Sequence, residues 1–324
     1  MIDRRTLLTW VGGAAAVPAP TLAQNTAKTL RVAAVAVQPR SAPNWVTFVR
    51  RMAEIGYVEG KNFDFDYVQA SSTDAFEASY REAVARKPDI VIAPGPEASL
   101  LAARTVAGKL PIVMIAVDYD PIARGHVASL ARPGGQVSGV YSQNAELAAK
   151  HLQLMKEMMP DVVTAAVFWD RHSAEYWAAL QREAPKRGVK LAGVELTKRP
   201  YEYEAALAGL DSANRRFLFA QSSPFFYLDR VALAQAAIKH RTAWFGHLRE
   251  PVAAGALMQY GATTAEMWSL AAEYVHNIAK GARPADLPVR QPTRFELTIN
   301  LKTARALGLT VPPALLAQAD EVLE

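Results

Sequence analysis

Cysteine is absent from the chain. Its absence excludes a disulfide framework, a thiolate metal site, a cysteine nucleophile and a lipid anchor on an N-terminal cysteine. Basic runs are absent too: 36 Lys and Arg stand against 31 Asp and Glu, and the net charge of +5 is spread along the sequence. Without a Lys/Arg cluster that charge is no nucleic-acid footprint, so nucleic acid is not an expected partner. Beyond the first two dozen residues, no apolar run approaches the roughly 20 residues a membrane-spanning helix needs.

The fingerprints of common α/β enzymes are missing as well. A dinucleotide fold needs Gly-x-Gly-x-x-Gly after its first strand, because the pyrophosphate approaches bare backbone. Here that turn reads "QPRSAPN" (38–44), without glycine, and Gly134-Gly135 behind Pro133 reads as an ordinary turn. No phosphate-binding Gly-x-x-x-x-Gly-Lys-Ser/Thr occurs, and "GQVSG" (135–139) lacks the Gly-x-Ser-x-Gly spacing of a hydrolase elbow. The six histidines (His126, His151, His172, His240, His247, His276) are scattered, and none forms His-Glu-x-x-His. No cofactor or metal is expected. His247 stands apart because it closes an apolar run, "AWFGH".

What is present begins with "MIDRRTLLTWVGGAAAVPAPTLAQ". Arg4 and Arg5, an apolar stretch from Leu7 and "TLA" before a cleavage point form the layout of an export signal over residues 1–23. "DRRTLLT" is similar to a twin-arginine signal, and an ordinary secretory signal with two arginines is the other reading. Either way the expected product is exported, soluble and unanchored, and its expected compartment is the periplasm.

The chain is 51% hydrophobic and 21% charged, ordinary globular composition with enough length for two cores. Short apolar runs alternate with amphipathic helical stretches, the pattern of a parallel sheet covered on both faces. "TLRVAAVAV" (29–37), "NFDFDYVQA", "IVIAP" and "IVMIAV" read as strands of a first series, with Thr73 or Asp74 available to cap the helix between the second and third. After "ARPGGQVSGVYS" (131–142) the alternation restarts with a Leu- and Met-rich helix over about 145–159, then "VVTAAVFW", "KLAGVEL", "RRFLFAQ", a long helix ending near His240, "AWFGH" and "ALMQYG". Two series of similar size predict two α/β lobes, with the Gly/Pro-rich segment 134–139 as the natural boundary. A long extended "VRQPTRFELTINL" follows a helix from about Thr263, as a chain crossing back between lobes would.

Two strand ends carry chemistry. "DYDP" (118–121) sets two carboxylates after a buried strand: Asp120 turns the chain ahead of Pro121, or Asp118 and Asp120 touch a ligand or act as an acid/base pair. "IVIAPGPEAS" (90–99) runs from strand into helix, a geometry that suits anions. Pro94 and Pro96 remove backbone donors there, however, and Glu97 repels an anion. The segment is better read as a wall of a cleft for a solute with a cationic or hydrogen-bond-donor group.

Several segments together resemble the substrate-binding family of bacterial ABC importers: "EIGYVEGKNFDFDY", "VASLARPGG", "ALMQYG" and the C-terminal "PADLPVRQPTRFELTINLKTARALGLTVPPALLAQADEVLE". The resemblance covers essentially all of the chain after the export segment. It implies a type I periplasmic binding protein fold: two doubly wound parallel-sheet lobes joined by a three-segment hinge. Lobe one would comprise residues 29–141 and 262–289, and lobe two residues 142–261 and 290–324. It further implies a non-enzymatic receptor for a small organic solute, such as an amino acid or an aromatic or carboxylate compound, read by an ABC permease in the inner membrane. The same fold serving as a ligand sensor, and an exported enzyme using "DYDP" or His247, are the alternatives. "PGPEAS" and "VDYDP" depart from the family pattern, which commonly has Thr or Ser after the third strand and Val-Gly-Asp-Pro.

Ligands of such folds sit at the carboxyl ends of strands. From the first series these ends supply Gln38, Arg40 and Ser41, then Gly95, Glu97 and Ser99, then Asp118, Tyr119 and Asp120. The crossing and second series supply Tyr141, Ser142, Trp169, Asp170 and Arg171, then Gln221, Ser222 and Phe225, then Phe245, His247, Gln259 and Tyr260. Arg40 is the expected anchor of a ligand carboxylate, because its guanidinium matches one bidentately.

Overall fold

The computed structural model describes residues 29–324. The expected export segment, residues 1–23, lies outside them. The first sheet is built from β1 (Leu30–Ala36), β2 (Phe63–Gln69), β3 (Ile90–Gly95), β4 (Ile112–Val117) and β5 (Val137–Ser142), in the order β2-β1-β3-β4-β5 and parallel throughout. Parallel neighbours need crossovers, and α1 (Pro43–Glu54), α2 (Phe76–Ala85) and α3 (Glu97–Val106) supply the first three. The inner strands are continuous apolar runs because helices cover both faces. Strand β2, at the edge, instead alternates, burying Phe63 and Phe65 while Asp64 and Asp66 stay partly exposed.

Two local expectations are corrected here. A three-residue 3-10 turn (Thr73–Ala75) precedes α2, and neither Thr73 nor Asp74 caps it. The Gly/Pro-rich segment 134–139 is no boundary either, since it leads into β5 inside the first sheet. Gly139 faces Met114 so closely that a β-carbon would lie 2.1 Å from the Met114 carbonyl oxygen, and its φ is +144°. Pro94 is tolerated in β3 because β1 pairs with that strand only through Ile92, leaving no partner for the missing N–H.

The second series contributes α4 (Ala148–Met158), β6 (Thr164–Trp169), α5 (Ala174–Glu183), β7 (Lys190–Glu195), α6 (Tyr203–Ala208), β8 (Phe217–Ala220), α7 (Pro224–Leu228), α8 (Arg230–Lys239), β9 (Ala243–Gly246), α9 (Arg249–Ala254) and β10 (Met258–Ala262). The helix expected over 145–159 opens with a 3-10 turn (Asn144–Leu147), and the long helix expected to end near His240 is two, α7 and α8, broken at Asp229. Then come α10 (Thr264–Ala279), β11 (Phe295–Asn300), α11 (Leu301–Ala306), α12 (Pro313–Leu316) and β12 (Glu321–Leu323). The second sheet runs β12-β11-β10-β9-β8-β6-β7, with β11 antiparallel to β10.

Helix α10 does not join the sheet that precedes it. Its Leu270, Ala271, Val275 and Ile278 pack with Val32, Trp45, Phe48 and Met52 in the first lobe's core. Each of those large side chains contributes about 1.5–3 kcal/mol by leaving water, which outweighs sequence order in placing the helix. The chain therefore passes between lobes three times: after β5, between β10 and α10, and between α10 and β11. These passages lie side by side, with Tyr141 N donating to Arg290 O at 2.9 Å and Thr263 N to Arg294 O at 3.0 Å.

Gly139→Ala tests how tightly the first sheet is built. Met114 is paired on both sides and cannot retreat, so the expected loss of stability is at least about 3 kcal/mol, at the upper end for single substitutions. Urea unfolding measures it; a loss below about 1 kcal/mol would contradict the close approach.

Candidate ligand site between the lobes

Because the sheets are mostly parallel, both release their strand ends toward the same gap. A cavity of about 120 Å³ (space for the centre of a water molecule) lies there. The first lobe lines it with Gln38 after β1, Asn44 in the first turn of α1, Phe76 opening α2, and Pro94, Gly95 and Pro96 at the β3–α3 turn. Thr264, Met267 and Trp268 of α10 add a wall from the same lobe. The second lobe supplies His172, Ser222, Ser223, Tyr227, His247 and Glu250, and Ser142 and Asn144 come from the first passage between lobes.

At the hinge, Asp118 adopts φ +60° and is buried. Its carboxylate accepts the Asn144 backbone N–H at 2.6 Å and the Asn144 Nδ2 at 3.2 Å. Asn144 Nδ2 also donates to Ser222 Oγ at 3.3 Å. Burial pushes the Asp118 carboxyl up to about 6, against the opposing hydrogen bonds from Ser222 and Asn144. Its neighbours have structural work too. Asp120 accepts from Ile122 N at 2.8 Å and Ala123 N at 3.1 Å, the turn ahead of Pro121, and Tyr119 is buried with its ring against His126.

Of the residues expected from sequence, Gln38, Gly95, Ser142, Ser222 and His247 line the cavity, and Asp118 braces the hinge behind it. Others are engaged elsewhere. Arg40, the expected carboxylate anchor, is paired with Glu59 at 2.5 and 2.6 Å, over the Phe65 ring, and neither Arg40 nor the exposed Ser41 lines the cavity. Glu97 meets His126 Nε2 at 2.7 Å, and the buried Ser99 hydroxyl meets Tyr80 at 2.8 Å. Tyr141 donates to Gln143 at 2.7 Å from within the first lobe's core. Trp169 stacks on Trp177, Phe245 lies in the second lobe's core, and Tyr260 stacks on Phe295. Phe225 packs among His172, Tyr201 and Arg199. Asp170 accepts from Ser223 and Tyr201, and Gln259 donates to Thr298 across the sheet. Gln221 is buried beside Ser222, with neither amide atom bonded among the described residues.

Asn44, Phe76, Tyr227, Glu250 and Trp268 escaped the sequence reading. All sit in the opening turns of helices that follow strands, or in a helix close behind such a turn, so extending each strand end by one helical turn is the signal that finds them.

The lobes touch across the mouth of the cavity. Arg171 Nη2 donates to Thr73 Oγ1 at 2.8 Å and Asp74 Oδ1 at 2.7 Å, and Arg124 Nη2 to Glu175 Oε1 at 2.7 Å. Leu228 of α7 packs against the first lobe's core. The arrangement is a closed one. Within the lining, no Lys or Arg is present and Glu250 is the one carboxylate. Burial pushes the His247 imidazole down to about 4, so it is neutral at pH 7. Among the described residues no cluster of His, Cys, Asp or Glu could hold a metal ion, and no helix is long and apolar enough to cross a membrane.

Residues 46–323 match the family described as ABC transporter substrate binding protein. The chain belongs to that family. A tyrosine-binding protein of Clostridioides difficile is 24% identical to this substrate-binding protein over 270 residues, covering 81% of this chain and 75% of the relative. A conserved domain protein of Vibrio cholerae, known as a crystal structure, is 26% identical with a TM-score of 0.82, covering 91% of this chain and all of the other. A Streptococcus pneumonia structure in complex with L-Trp superposes with a TM-score of 0.81 at 20% identity, over 91% of this chain and 100% of that one. The fold is that of the type I periplasmic binding proteins. Family members are binding proteins, and open α/β sheets in general take ligands at the carboxyl ends of their strands.

The hinge carboxyl yields a pH test. Asp118 ionises near 3.8 when unfolded and near 6 when folded, so its contribution to stability is full below about pH 4 and is lost as pH rises to about 6. His151 and His247, pushed down by burial to about 3 and about 4, have the opposite sign: their contribution is lost as pH falls below about 6.5. Asp118→Asn removes only the falling contribution. Its melting temperature is expected to climb more steeply than the wild type's between about pH 4 and 6; parallel curves would exclude a buried carboxyl that titrates there.

Proposed function

We propose that the protein is the periplasmic solute receptor of an ABC importer. Its lobes, residues 29–141 with 262–289 and residues 142–261 with 290–324, close on a small organic solute and present the closed form to a permease in the inner membrane. The observation that carries this reading is the cavity between facing strand ends, walled by both lobes, which Arg171 and Arg124 tie together. A solute that touches both walls binds the closed form better than the open one, and that difference drives closure.

The lining suits an amino acid or a similar ring-bearing compound. Phe76, Trp268 and Tyr227 offer apolar surface, while Asn44, Ser222 and Glu250 offer polar atoms at its ends. The tyrosine-binding and L-Trp-bound relatives support that class. A non-enzymatic role is supported by the employment of both candidate catalytic carboxylates: Asp118 braces Asn144 and Asp120 holds a turn, while His247 stays in the cavity lining. Arg4, Arg5 and the apolar stretch from Leu7 support export, and the lack of cysteine leaves no thiol for lipid attachment in this sequence.

Mass spectrometry of the purified protein is expected to release a small solute, and calorimetry with it to show saturable binding without turnover. Chemical conversion of the solute on incubation would overturn the receptor reading. Arg171→Ala, which removes an exposed bond to Asp74 and a part-buried one to Thr73, is expected to weaken solute binding by about two- to fivefold. An unchanged affinity would mean that these bonds do not favour closure.

A further inference from the structure

The polar atoms around the cavity are unevenly matched. Asp118 is satisfied by Asn144, and Glu97 by His126, with Arg124 at 3.7 Å. Ser223 is taken by Asp170, and Asn144 by Asp118 and Ser222. Two buried acceptors on opposite walls have no bond among the described residues, Glu250 Oε2 on the second lobe and Asn44 Oδ1 on the first; the Trp268 Nε1 donor and the His247 Nδ1 ring nitrogen of the same lining are unbonded too. A buried acceptor left unmatched is costly, and a ligand that supplies the missing donor recovers that cost.

The sign of the surrounding charge points the same way. No cationic side chain lines the cavity, and at the β3–α3 turn Pro94 and Pro96 have no N–H to offer an anion. The arginines that attract Glu250 from outside are both occupied. Arg249 is bound to Glu321 through two 2.6 Å bonds, and Arg230 donates to the Tyr227 carbonyl at 3.0 Å and lies over the Tyr227 ring. Burial holds the Glu250 carboxyl above its usual range, against the pull of those two arginines. A cation brought to Glu250 Oε2 relieves that penalty, whereas a carboxylate brought there adds a second unmatched charge.

We propose that the solute is an organic amine, protonated at neutral pH, whose nitrogen is held by Glu250 with Asn44 as the facing acceptor. Its apolar body lies against Phe76, Met267, Trp268 and Tyr227. A carboxylate on the same molecule is accommodated but is not what the site reads. The proposal rests on the receptor reading and narrows it: the amino group, not the carboxyl group, is the determinant of affinity.

Titration calorimetry on the full chain tests this with three matched sets: L-tryptophan and L-tyrosine, their decarboxylated amines tryptamine and tyramine, and the deaminated indole-3-propionate and 3-(4-hydroxyphenyl)propionate. At least one amine is expected to bind within tenfold of its parent amino acid, and the deaminated acids at least a hundredfold more weakly. Glu250→Gln is expected to weaken amine binding at least thirtyfold with little change in melting temperature, and Asn44→Ala to weaken it less. Deaminated acids that bind as well as the amines, or Glu250→Gln binding the amines normally, would overturn the proposal and leave the receptor reading standing. Failure of all six compounds, with no solute released from the purified protein, would overturn both.

Discussion

Parallel pairing forces each strand back through a crossover, so all five strands of the first sheet deliver their carboxyl ends to one edge. The second sheet does the same from the other side for all but β11 and β12, which run antiparallel to β10. Everything functional in the molecule follows from that constraint. The turns leaving the strands, and the first turns of the helices behind them, are free of the work of covering a sheet, and they line the gap between the lobes.

What those turns do with their charges separates structure from recognition. Asp118, Asp120 and Glu97 look equally available in the sequence, yet each is consumed locally, by Asn144, by the Ile122 turn and by His126. The charge that remains unmatched at the cavity belongs to Glu250, in a six-residue helix after β9. Burial makes this asymmetry matter, since a dry acceptor without a donor is costly while a solvated one is not.

The hinge has the same economy. Three passages run side by side, tied by Tyr141, Arg290 and Thr263 backbone bonds, and Asp118 fixes the first of them to the end of β4. Closure then needs only small changes at those passages, because each lobe keeps its own core. The first lobe's core includes α10, far along the chain from its packing partners on α1. Bonds such as Arg171 to Asp74 are exposed and individually weak, which suits a mouth that must open again.

The alternation of apolar runs and amphipathic helices was legible because a strand buried on both faces has to be apolar along its length, and β3, β4, β8 and β9 are, with β1 broken by Arg31 and β6 opening on Thr164. Less legible were helix openings: the 3-10 turn before α2 and the break at Asp229 depend on neighbours rather than on local propensity. The strand-end rule led to Gln38, Gly95, Ser222 and His247, which do line the cavity, but it stopped one turn short of Asn44, Phe76 and Glu250. Arg40 shows the limit best, since nothing local in "QPRSAPN" reveals that Glu59 will meet its guanidinium. By itself, then, the sequence determined the two α/β series, because periodicity and composition are local properties of the chain, and the resemblance of segments such as "EIGYVEGKNFDFDY" pointed to the family. Only the tertiary structure decided which polar groups face the cavity unmatched, because hydrogen-bond partners are chosen by packing between segments far apart in sequence.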